Sequence, residues 1–189
     1  MSVMDIMKER NVFSFELFPP KTDAGMEKLC GAGGVLEKLY GMNPDYISCT
    51  YGAGGTNVGK NLEVLDKIVA DGKSTAVTHF TCIGNTEDGI RRQLQTYLDH
   101  GIHHILALRG DLPNGWSGTG GDLHYASELV DFIRRETGDR FTVAVSSVPM
   151  AQEMGADHTL AGQLVIWTTI LSAFSVFAAS FLLKAAGVF

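Results

Sequence analysis

Short apolar runs return along this chain about every 30 residues, and each gap between them holds a segment of helical period. The runs are VFSFELF (12–18), YISCTY (46–51), AVTHFTC (76–82), HILALRG (104–110) and FTVAV (141–145), rich in β-branched and aromatic residues. Amphipathic segments fill 24–40, 60–71, 87–100 and 124–137. Gly72, Gly101 and Gly138 stand just past three of these, where a helix end favours positive φ. Such alternation predicts an α/β fold with a parallel sheet and right-handed crossovers. A repeat of this length suits a partial (β/α)8, TIM-type barrel of about five βα units. A doubly wound open sheet has a similar period, and in both folds ligands gather at the C-terminal strand ends.

Polar residues cluster at those ends. The first run closes with Glu16, Phe18 and the stretch PPK, and the second with Thr50 and YGAGGT. The third carries His79 and Thr81, and the fourth ends in Arg109, Gly110 and Asp111. Packing does not account for four successive strands with such residues on one rim, so the rim is expected to be a ligand site. Glu16 is flanked by Phe15, Leu17 and Phe18. Apolar surroundings favour a protonated carboxyl, which suits a general acid near neutral pH.

Three other patterns carry less. GGTNVGKN (54–61) approaches a phosphate-cradling loop, but Asn61 replaces the hydroxyl that would hold magnesium. Its glycines read instead as allowing close backbone approach to a bulky ligand. The RGD at 109–111 follows a buried-strand pattern in a chain without a signal-peptide core, which argues against a cell-adhesion peptide. His103 and His104 open the fourth run at the opposite rim with no third ligand in view, so no metal is expected. Cys30, Cys49 and Cys82 lack metal-ligand spacing and fit free thiols in a reducing compartment.

The tail differs in kind. Thr159 to Leu183 is 25 residues without Asp, Glu, Lys, Arg or His. As a helix it would be roughly 37 Å long, enough for a hydrocarbon core of about 30 Å. Thr168, Ser172, Ser175 and Ala179 would share one face, as small residues do where membrane helices pack closely. A buried core helix is the alternative. The net charge of −6 lies almost wholly before this tail and nothing basic is clustered, which excludes nucleic acid as an expected partner.

Taken together, FSFELFPPK, DYISCTYGAGG, THFTC, GIHHILALRGDLP and YASELV resemble methylenetetrahydrofolate reductase in order and spacing over about residues 10–145. The resemblance implies a β/α barrel with FAD and a reduced nicotinamide donor, NADH or NADPH. It also implies a folate substrate, 5,10-methylenetetrahydrofolate, reduced to 5-methyltetrahydrofolate. By the same resemblance Glu16 matches the general acid that protonates the folate so that its bridged ring opens. Thr50, Tyr51 and Ala53 match a flavin-contacting segment, and His79 a contact from the third strand. Leu108, Arg109, Gly110 and Asp111 match the flavin loop of the fourth strand, with Asp111 near both flavin ring and folate. Tyr125 and Ala126 match a further flavin contact. Residue chemistry agrees, because a guanidinium suits a pyrophosphate and an anionic Asp111 would tune the flavin.

After the fifth run the sequence departs from that family's pattern. AVSSVPMAQEMGADHTLAGQLVIWTTILS is similar to the closing segment of auxin-efflux-carrier-type transporters. The expected organisation is a partial reductase barrel over 1–145, a junction over 146–158 and an apolar, membrane-spanning helix over 159–189. The reductase part is expected in the cytosol, with membrane contact through 159–183. Five strands cannot close an eight-stranded barrel, so open edges and an apolar inner face would invite self-association. Turnover below that of a complete barrel is the corresponding expectation.

Overall fold

The computed structural model describes residues 3–51, 58–111 and 120–145. The chain divides into two units, Met1–Ser146 and Ser147–Phe189, and every described residue belongs to the first. Ala53, the junction and the apolar tail therefore lie outside the described residues. Among those described, no helix is long and apolar enough to cross a membrane.

The elements in chain order are α1 (Val3–Glu9), β1 (Ser14–Leu17), α2 (Asp23–Cys30), α3 (Val35–Tyr40), β2 (Tyr46–Cys49) and α4 (Val58–Asp71). They continue with β3 (Thr75–Thr81), α5 (Glu87–Asp99), β4 (His104–Leu108), α6 (Ala126–Thr137) and β5 (Thr142–Val145). All five strands are parallel and lie in the order β1-β2-β3-β4-β5. A doubly wound sheet reverses its strand order at a switch point. Here each strand simply adds beside the last, and right-handed crossovers then carry every helix that connects two strands to the same face. This is the arrangement of a partial TIM-type barrel. Among the described residues β1 and β5 are the edge strands.

Strand alternation sorts the side chains. Ile47, Cys49, Ala76, Phe80, Ile105 and Ala107 turn to the helices, where Val64, Leu65 and Ile68 of α4 and Ile90, Leu94 and Tyr97 of α5 meet them in one buried cluster. The opposite face carries both polar and apolar residues. Glu16, Tyr46, Ser48 and His104 line a cavity of about 340 Å³ on that side, with Val3 and Met7 of α1 among its other walls. Val77, Leu106, Ala144 and Val145 line the same cavity, so apolar residues share this face with the polar ones.

Two helices stand where the periodicity predicts one over 24–40. The break falls at Gly31–Gly34. A Cβ on Gly34 would lie 2.7 Å from the Gly31 carbonyl and 2.8 Å from that of Leu29, so the chain turns tightly enough to exclude any side chain. The amphipathic pattern resumes in register after the turn, which is why it reads as continuous. α1 was not expected from periodicity. The predicted helix ends hold, with φ of 61° at Gly72, 70° at Gly101 and 60° at Gly138.

Candidate functional site

The rim begins at β1. Alternation turns Phe15 and Leu17 to the core and leaves Glu16 on the other face, in register with Ser48 of β2. The predicted apolar enclosure of Glu16 is therefore not found. Its two chain neighbours point away, Phe18 is exposed, and the carboxyl side chain is 51 % exposed. What faces Glu16 is a histidine. The Glu16 Oε2 lies 3.6 Å from Nε2 of His79, which reaches across from β3. His79 is only 8 % exposed, and its buried Nε2 has no hydrogen-bond partner among the described residues.

Burial holds the His79 imidazole below its ordinary value of 6.5, against a smaller opposing pull from the Glu16 carboxylate. His104 is depressed in the same direction, again chiefly by burial. Both rings are thus neutral near pH 7. The unfolded chain takes up these protons at about 6.5 while the folded chain resists them, so this contribution to stability is complete above that pH and is lost below it. Thermal melts should show Tm falling as pH drops from 7.5 to 5.5, and His104→Gln should flatten the fall. A pH-independent Tm over that range would contradict the burial of these rings.

The second strand end is tightly held. The Thr50 N–H donates to the Leu17 carbonyl at 2.9 Å, which joins the tips of β1 and β2. Tyr51 turns inward instead. Its ring meets Phe80 edge-on at 5.6 Å, it is almost fully buried, and burial raises its phenol pKa. Its side chain belongs to the core, and only its main chain is left for a ligand.

At the fourth strand end, pairing with β3 continues past the regular ladder. The N–H of Cys82 donates to Leu108 O at 3.2 Å, and that of Ile83 to Arg109 O at 2.9 Å. Gly110 follows with φ of 86°, and a Cβ there would sit 2.9 Å from Thr81 Cβ. Only glycine meets both conditions. The carbonyl of Arg109 is thus fixed against β3, and its guanidinium, like the carboxylate of Asp111, is left exposed. Tyr125 and Ala126 open α6, the first exposed and the second buried, and Glu128 Oε2 accepts from the Tyr125 N–H at 3.3 Å.

One residue of consequence escaped the sequence reading. Asn61 of α4 is 0 % exposed, and its Nδ2 donates to the carbonyls of Cys49 at 3.2 Å and Thr50 at 2.9 Å. A signal for it existed, since positions 61, 64, 65 and 68 share one helical face and three of them are apolar. His103 finds an ordinary partner in the Arg140 carbonyl at 3.2 Å, and among the described residues no cluster of three metal-ligating side chains occurs. Cys30, Cys49 and Cys82 form no disulfide.

A sequentially ordered parallel sheet, its connecting helices on one face and polar groups at the strand ends define the front of a β/α-barrel enzyme domain. The comparisons with known proteins sharpen this class. The family profile of methylenetetrahydrofolate reductase matches residues 2–166. The chain is 34 % identical over 145 residues to methylenetetrahydrofolate reductase (NADH) 1 of Zea mays, covering 75 % of this chain and 24 % of that protein. Against its namesake in Arabidopsis thaliana identity is 33 % over 159 residues, with 80 % and 26 % covered. Against 5,10-methylenetetrahydrofolate reductase of Escherichia coli K12 it is 34 % over 148 residues, with 78 % and 47 % covered. The chain belongs to the methylenetetrahydrofolate reductase family. It spans about a quarter of the length of the plant relatives and about half that of the bacterial one. The family match continues beyond residue 145, where the sequence resemblance was taken to end, and nothing in these comparisons supports a transporter-like tail.

Proposed function

We propose that this chain carries the flavin- and folate-facing part of a methylenetetrahydrofolate reductase, acting on 5,10-methylenetetrahydrofolate with FAD and NADH or NADPH. The observation that carries this reading is the approach of Glu16 to His79 across β2, at 3.6 Å, on the open face of the sheet. FAD, when bound, supplies the hydride relay between nicotinamide and folate. Everything else falls to the residues of the rim.

Glu16 is the proton donor to the folate nitrogen, and its half-exposed position leaves room for a substrate ring beside it. His79 offers a buried nitrogen without a hydrogen-bond partner among the described residues, which fits a polar atom of the flavin. Gly110 lets the end of β4 pack closely on Thr81 with a positive φ, which sets the main chain of Arg109 and Asp111 at the rim. Arg109 provides an exposed guanidinium for the pyrophosphate, and Asp111 a carboxylate beside the ring. Thr50, the Tyr51 main chain, Ala53, Leu108, Tyr125 and Ala126 complete the proposed contacts. The described strands furnish one side of the pocket.

The test is a spectral titration of the full chain with FAD, beside Arg109→Ala. Removing one charge-assisted contact of about 1.5–3 kcal/mol should weaken binding roughly ten- to a hundredfold. An unchanged Kd in Arg109→Ala would remove the pyrophosphate contact from the proposal.

A further inference from the structure

The β2–β3 register ends at Cys49↔Thr78. Beyond that point the two terminal carbonyls of the β2 end, Cys49 O and Thr50 O, turn to Asn61 of α4, which donates to both from one amide nitrogen. The oxygen of the same amide lies 3.5 Å from the Thr78 hydroxyl, which donates to the His79 carbonyl at 3.0 Å and lies 3.4 Å from the Tyr97 hydroxyl of α5. Asn61 and Thr78 are both 0 % exposed. The network ties together α4, α5, β2 and β3 at the height of the rim.

We infer that Asn61 is a positioning residue, fixing the Thr50–Tyr51 strand end so that it is held ready for the ligand of this rim. The chemistry needs a short side chain with two donors and an acceptor, and asparagine alone combines these at that length. Leucine matches its volume without polar atoms, and aspartate matches its shape but sets a carboxylate against two carbonyl oxygens. Either replacement leaves buried carbonyls without a donor, which is unfavourable enough to loosen the strand end locally. The ligand part of this inference rests on the flavin reading above. The strand-end part does not.

The experiment compares Asn61→Leu and Asn61→Asp with Leu129→Ala, a truncation in the buried face of α6 that lies outside the hydrogen-bond network of Asn61. Amide hydrogen exchange is followed at Thr50, whose N–H bonds to Leu17, under conditions where all three variants are folded. Exchange at Thr50 should rise by about tenfold or more in both Asn61 variants and stay unchanged in Leu129→Ala. FAD affinity should fall by about tenfold in the same two variants only. Unchanged exchange at Thr50, or an equal rise in Leu129→Ala, overturns the inference. A rise confined to Asn61→Leu also overturns it, because packing rather than the donated hydrogen bonds would then hold the strand. If exchange rises in both Asn61 variants but the unaltered chain takes up no flavin, the positioning role stands and the flavin reading falls.

Discussion

Truncating Phe80 to alanine should lower the unfolding free energy by about 3–5 kcal/mol, a large share of the roughly 5–15 kcal/mol that domains possess. Phe80 sits on β3, the middle strand of the sheet, and is fully buried. Tyr51 and Tyr97 each meet its ring edge-on at 5.6 Å, a geometry favoured by the opposed charge of ring face and edge. Alanine would leave a cavity walled by two tyrosines that belong to different elements and cannot both collapse into it. The consequence reaches the rim, because Tyr51 follows Thr50 directly and loses its main anchor. Urea denaturation followed by circular dichroism measures the effect. A loss below about 1 kcal/mol would mean that the site can repack, and that the three-ring stack is not what holds this part of the core.

Glu16→Gln should leave the fold and flavin binding intact while removing about a hundred- to ten-thousandfold of whatever reductase turnover the chain supports. Glutamine keeps the length and a hydrogen-bonding head but has no proton to transfer. Glu16 is half-exposed and, among the described residues, the ionisable partner facing it is His79, a single contact at 3.6 Å on which the fold does not rest. Steady-state rates with FAD, a reduced nicotinamide and methylenetetrahydrofolate, measured alongside melting curves, separate chemistry from stability. Equal rates in the two proteins would take the proton-donor role away from Glu16.

The β/α rhythm was legible because buried parallel strands are short, apolar and bounded by glycine. The strands appear within a few residues of their expected limits. The same period could not distinguish a barrel segment from a doubly wound sheet, because strand order is a property of crossovers between elements and leaves no trace in spacing. Site residues on strand ends were legible as polar exceptions to an apolar pattern. Their surroundings were not. Phe15 and Leu17 flank Glu16 in sequence yet lie on the other face of the sheet, and His79, 63 residues away in the chain, is what Glu16 meets. Tyr51 sits in a flavin-like motif, but its ring completes the core behind the site. Asn61 was read against a phosphate-loop template whose final hydroxyl it lacks, and its place on the buried face of α4 went unused.

Titrating the purified full chain with FAD tests the account most directly. Saturable binding of one flavin per chain, with a shifted flavin spectrum and a Kd weakened in Arg109→Ala, is the predicted result. A folded chain that produces no spectral shift at any accessible FAD concentration would contradict the assignment of this rim as a flavin site.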